Sequence, residues 1–277
     1  MSASLEAARP DGPRAERKKA LLRLGVVPYL NVAPIIYGLR RDERFELVPE
    51  VPSELSESLH SGRIDLGMIP TIEYPGHDYA IVPGIAIASR GAVRSVRLFH
   101  RRGLGGIRRV ALDTSSRTSV ALVRILLRER LGRDPEYVTM APSVEDMLAR
   151  ADAALVIGDP ALDYEGDAES ADLGALWAEH TGLPFVFAFW AGRKGVLTAE
   201  HVGALKASLR AGLAAIPDIA AAYPRRSKAR DSEDYLRKNI VFDLGEAEQS
   251  GLREFYRRAH ALGLIASVPE IEFHDNF

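Results

Sequence analysis

Arg23-Leu24-Gly25-Val26-Val27-Pro28-Tyr29-Leu30-Asn31-Val32-Ala33-Pro34 is an apolar run that stops abruptly in a Pro-Tyr-Leu-Asn turn before a second proline. A continuous apolar run is the pattern of a parallel strand covered on both faces. In open α/β sheets a ligand sits just beyond the carboxyl ends of such strands, so Asn31 stands where one would bind.

Downstream, Ala33 to Arg40 reads as a short helix and Phe45 to Val51 as a second strand. Pro52-Ser53-Glu54 opens a helix with Leu55 and Leu59 on one face, and Asp65 to Ile69 is a third strand ending at Pro70-Thr71. Strand, helix, strand, helix, strand implies a parallel, doubly wound sheet. Two apolar strands follow, Tyr79 to Ala88 and Val93 to His100, then a basic, Gly-rich connector from Arg101 to Gly106.

A second α/β series begins there, with strands at Val110 to Leu112, Tyr137 to Met140 and Ala154 to Ile157, and helices at Val120 to Leu131 and Val144 to Ala151. The strand Phe185 to Ala191 ends at Gly192-Arg193-Lys194-Gly195, a second connector by which the chain returns. Thr198 to Ala222 and Ser232 to Leu264 are helical tracts expected to pad the first lobe. The expected layout is a tail over residues 1–20, lobe I from 21–102 with 193–277, and lobe II from 103–192. Two lobes joined by two crossings enclose a cleft.

Composition bounds the function. A chain of 277 residues with 47% apolar content can bury the cores of two lobes. Lys and Arg number 36 against 38 Asp and Glu, so no overall field draws the protein to nucleic acid or an anionic membrane. The absence of cysteine excludes disulfides, thiolate catalysis and Cys-ligated zinc. The seven histidines are scattered without metal-ligand spacing, so no metal site is expected. Met1 to Ala20, rich in charge and proline, cannot build a core and is expected to be disordered. No apolar run approaches the ~18 residues of a membrane span, and the reading is a cytoplasmic, soluble protein.

Four hydroxyls in five positions, Ser115-Ser116-Arg117-Thr118-Ser119, lie between a strand and an apolar helix. One such residue suffices for an N-cap; several, with unpaired amides behind them, suit a carboxylate. Arg117 is either a carboxylate fork or an outward charge. Asp159, in Ile157-Gly158-Asp159-Pro160, is either exposed to the ligand where a strand stops or an N-cap. Ser95 points to the cleft or satisfies a backbone group. Trp177, Trp190, Phe185, Phe187 and Phe189 form an aromatic set read as core packing, with a wall for a ring-shaped ligand as the other possibility.

Pro28-Tyr29-Leu30-Asn31-x-x-Pro34, Gly91-x-Val93-x-Ser95, Ser116-Arg117-Thr118-Ser119-Val120, Ile157-Gly158-Asp159-x-Ala161-Leu162 and Thr181-Gly182-Leu183-Pro184-Phe185-Val186-Phe187-Ala188-x-Trp190, in this order, resemble the chorismate dehydratase family of the futalosine route to menaquinone. The resemblance spans roughly Leu24 to Arg193. It implies a type II periplasmic-binding-protein-like α/β fold that converts chorismate to 3-[(1-carboxyvinyl)oxy]benzoate and water, with no cofactor and no obligate protein partner. Under it, Asn31 is the catalytic positioning group, and Tyr29, Ser95, Ser115, Ser116, Arg117, Thr118, Ser119 and Asp159 bind substrate. The base is then either the substrate's enolpyruvyl carboxylate or Asp159. Two alternatives share the fold: a 1,4-dihydroxy-6-naphthoate synthase, which would want a catalytic histidine near the cleft, and a non-catalytic solute-binding protein for a small carboxylate.

Overall fold

The computed structural model describes residues 21–132, 134–223 and 229–274; the expected tail over 1–20 lies outside them. Two five-stranded sheets form the frame. In the first, β1 (Leu22–Val26) pairs in parallel with β2 (Phe45–Pro49) and β3 (Leu66–Pro70), and α1 (Pro52–His60) packs over them. The sheet then turns mixed. β10 (Phe185–Arg193) runs antiparallel between β3 and β4 (Tyr79–Ser89).

The second sheet repeats the plan. β6 (Arg109–Asp113) pairs in parallel with β7 (Glu136–Met140) and β8 (Ala153–Ile157), and β5 (Val96–His100) runs antiparallel between β8 and β9 (Glu169–Asp172). α2 (Thr118–Leu131), α3 (Val144–Leu148), α4 (Asp159–Leu162) and α5 (Leu173–Thr181) flank it. α6 (Ala199–Ala214), α7 (Ile216–Ala222), α8 (Ala229–Lys238) and α9 (Glu246–Ala261) complete the chain. One apolar core runs through both sheets, and a smaller one, with Phe99, Met147 and Val156, lies beside the second.

Three expectations are corrected. The sheets are mixed instead of wholly parallel, because each takes its fourth strand from across the junction between the lobes. The crossings therefore fall at residues 90–95 and 182–184, and not at the two Gly-containing connectors: β5 belongs to the second sheet and β10 to the first. The helix expected over Ala33 to Arg40 is instead a series of turns closed by a single 3-10 turn, Leu39–Arg41. Pro34 cannot donate a helical N–H and Gly38 disfavours propagation, so helix does not spread between them.

Candidate active site

The parallel strands β1, β3, β6 and β8 point their carboxyl ends at one cavity between the sheets, with about 610 Å³ of atom-free space including its mouth. Its walls come from the segments just after those ends: Tyr29 and Asn31 after β1, Pro70 at the end of β3, Ser115 to Ser119 after β6, and Gly158 after β8. This is where an α/β sheet binds its ligand. Met68, Ile87, Val93 and Phe187 supply an apolar lining suited to a ring.

After β1 the chain makes one 3-10 turn, Leu30–Val32, anchored by the buried Leu30 and Val32. Asn31 lies between these anchors at the cavity wall, and its buried Oδ1 accepts no hydrogen bond from the described residues. An unpaired buried carbonyl is costly unless a ligand meets it. The Tyr29 ring reaches across the cleft onto Gly158, where a Cβ would lie 3.3 Å from ring carbons. Gly158 can take that place because its φ of 68° and ψ of −148° belong to glycine. Burial raises the Tyr29 pKa, which the nearby Ser115 hydroxyl partly offsets and Asp113 and Asp159 reinforce; Tyr29 is a neutral phenol at physiological pH.

The hydroxyl turn is braced by Asp113. Its Oδ1 accepts from the Ser115 amide at 2.8 Å and the Ser115 hydroxyl at 2.6 Å, and its Oδ2 from the Ile157 amide at 3.2 Å. α2 then begins with Arg117 as its N-cap and no side-chain cap. The hydroxyls are thus not used for capping, and Ser116, Thr118 and Ser119 line the cavity at the start of α2. The Thr118 hydroxyl accepts from the Ile72 amide across the cleft at 3.1 Å. At the first crossing, the buried Ser95 accepts from the Tyr235 hydroxyl at 2.9 Å.

Arg117 lines the cavity, yet its guanidinium pairs with Glu73 at 3.1 Å and Glu57 at 3.7 Å, both on the first-sheet side. It ties the lobes across the cleft. Asp159 departs furthest from expectation: it is not among the cavity walls, and its carboxylate lies 2.8 Å from the Tyr223 hydroxyl, whose single hydrogen the Pro28 carbonyl at 3.0 Å also competes for. Asp159 opens α4, and Gly158, the residue before it, lines the wall. Asp113 and Tyr235 were not foreseen at the site. An Asp two residues before a Ser at a strand end is an Asx-turn signature that points to the first; Tyr235, 140 positions from Ser95, has no local signal. The aromatic set divides, Trp177 and Phe185 packing in the core while Phe187 also lines the cavity.

Among the described residues, Arg117 is the one charged side chain in the wall, and no His, Asp, Glu or Lys lines it. No group of three or more metal-ligating side chains exists among them either. No helix among them is long and apolar enough to cross a membrane. The cavity therefore presents hydroxyls, one carboxamide and Arg117 against an apolar lining.

Known proteins fit this arrangement. The model of a family described as menaquinone biosynthesis matches residues 22–261. The chain is 36% identical over 264 residues to the chorismate dehydratase of Thermus thermophilus, covering 87% of this chain and 95% of that one. The 1,4-dihydroxy-6-naphtoate synthase of the same organism is 28% identical, covering 90% and 97%. Among solved structures, the alkanesulfonate-binding protein SsuA of Xanthomonas axonopodis pv. citri, bound to MOPS, aligns with a TM-score of 0.64 at 18% identity over 93% of this chain and 96% of that one. The fold is that of the periplasmic-binding-protein-like proteins.

Proposed function

The chain belongs to the menaquinone-biosynthesis family, and we propose that it is the family's chorismate dehydratase, a cytoplasmic carbon–oxygen hydro-lyase that converts chorismate to 3-[(1-carboxyvinyl)oxy]benzoate and water. The observation that carries this reading is the pairing of an unsatisfied Asn31 carboxamide oxygen with an uncapped, hydroxyl-rich helix N-terminus around one apolar cavity.

Chorismate presents one carboxylate on its ring and a second on its enolpyruvyl side chain. The N-terminal turn of α2, with Ser116, Thr118 and Ser119, suits one of them; Ser95 with the Asn31 amide N–H suits the other. Loss of the C3 proton and the C4 hydroxyl aromatises the ring, so the protein has mainly to hold a reactive conformer. With no carboxylate or imidazole in the wall, the proton acceptor is the substrate's own enolpyruvyl carboxylate, oriented by Asn31. Asp159 is the weaker candidate, being held by Tyr223 outside the wall. The lower identity to the synthase, and a wall without histidine among the described residues, favour the dehydratase.

Adding chorismate to the purified protein tests the reading. Loss of the cyclohexadiene absorbance with gain of an aromatic benzoate spectrum supports it. Chorismate that binds and returns unchanged would support a solute-binding role instead.

A further inference from the structure

Among the described residues, Arg94 is the one non-glycine residue with a positive φ, 62°. The Cβ of an L-residue resists that left-handed region, so the surroundings must hold Arg94 in it. Arg94 stands in the first crossing, between Val93 and Ser95, both of which line the cavity. The backbone direction at Arg94 sets how Ser95 enters the wall.

Asp172, the last residue of β9 and the N-cap of α5, supplies the hold. Its Oδ2 accepts from the Arg94 amide at 2.6 Å, and its Oδ1 accepts from the Val93 amide and, as a helix cap, from the Ala175 amide, both at 3.0 Å. Successive N–H groups point opposite ways along an extended chain, and two neighbours converge on one anion where the chain turns. The carboxylate thus rewards the same turn that the Arg94 Cβ resists. With the turn made, the Ser95 carbonyl accepts from the Gly158 amide at 2.7 Å and its hydroxyl meets Tyr235 at 2.9 Å. On the other side the Arg94 guanidinium donates to Asp231 of α8 at 2.7 Å, a partly exposed pair and so the weaker restraint.

We propose that Asp172, which is not in the cavity wall, is a positioning residue for the reaction: by gripping the Val93 and Arg94 amides it locks Arg94 in the left-handed conformation and so aims Ser95 at the substrate carboxylate. The inference rests on the dehydratase reading, in which Ser95 and Asn31 hold the enolpyruvyl carboxylate that takes the C3 proton. A displaced Ser95 misaims that carboxylate while the other stays at the start of α2, so the loss falls on kcat more than on KM.

The test asks whether freedom at residue 94 replaces the grip. Asp172→Asn keeps an equally good N-cap for α5 but has one acceptor oxygen for the two crossing amides. It is expected to lower kcat with chorismate about tenfold, the worth of one charge-assisted hydrogen bond, and to move KM less than about threefold. Glycine takes a positive φ without the Cβ penalty, so adding Arg94→Gly to Asp172→Asn should recover most of the lost kcat, with Arg94→Gly alone setting the ceiling. Adding Arg94→Ala instead removes the same guanidinium, keeps the Cβ and should recover none. A glycine double variant no faster than Asp172→Asn, or an alanine one recovering as much, would overturn the inference alone. A glycine double variant that folds where Asp172→Asn does not supports it as well; failure of both to fold overturns it, since Asp172 then holds the fold and not the site. No product from the unaltered chain overturns it together with the dehydratase reading.

Discussion

Gly158 carries more of the site than its size suggests. Its φ of 68° with ψ of −148° lies in a region essentially closed to side chains, and the Tyr29 ring occupies the space a Cβ would need. Gly158→Ala should therefore cost about 1–3 kcal/mol in urea denaturation and displace Tyr29, with turnover falling further than stability alone explains. An unchanged denaturation midpoint would mean that the strand end can rearrange freely. Arg117 is the opposite case, a residue whose charge draws the eye while its energetics are modest. Its pairs with Glu73 and Glu57 are partly exposed, so Arg117→Gln should cost less than about 1 kcal/mol, an effect that shrinks as salt is added.

At the scale of elements, α6 presses on the turn that carries Asn31. Gly212 sits so close to that turn that a Cβ would lie 1.9 Å from the Pro34 carbonyl oxygen. Gly212→Ala should gain up to about 1 kcal/mol of helix propensity and lose more to overpacking, about 1–3 kcal/mol, lowering both the urea midpoint and kcat. Gly203, on the same helix with open space around it, is the control: Gly203→Ala should raise the midpoint and leave kcat alone. Elements differ in how plainly the sequence announces them. β1, β3, β6 and β8 are apolar because both faces are covered, and the candidate cavity lies at their carboxyl ends, so strands and cavity position were legible. β9, Glu-Ser-Ala-Asp, is a polar edge strand that exists through its pairing with β5, and nothing local signals it. Asp159 is expected in the site because it follows a strand end; it opens α4, meets the distant Tyr223 and is not among the cavity walls. What depends on partners far along the chain, Tyr235 on Ser95 as much as Tyr223 on Asp159, leaves no periodicity to read.

For the whole molecule, α9 locks the return crossing. Gly251 lies against the Pro184 carbonyl, and Glu129 of α2 pairs with both His180 of α5 and Arg258 of α9. Arg258 also binds Glu254, which together with Arg257 holds that carboxyl at a pKa of about 2, the Arg257 hydrogen bond being the larger cause. A carboxyl lowered on folding stabilises the native state fully above its unfolded pKa, near 4.5, and loses that contribution as pH falls toward 2. Glu254→Gln should therefore flatten the decline in urea midpoint between those pH values; parallel curves for the two proteins would contradict the assignment. Neither sheet builds the site alone. The first brings Tyr29 and Asn31, the second brings the α2 terminus and Gly158, and the crossing at Ser95 joins them. The fold shared with solute-binding proteins thus supplies a cavity between the sheets, and in the proposed reading one carboxamide, that of Asn31, turns binding toward chemistry.

That claim is tested most directly by following chorismate with proton NMR in the presence of the unaltered chain and of Asn31→Ala, with binding of chorismate measured in parallel. The unaltered chain should convert chorismate to the aromatic enolpyruvyl benzoate, while Asn31→Ala should bind chorismate and leave it almost wholly unconverted. Near-normal turnover by Asn31→Ala would contradict the account.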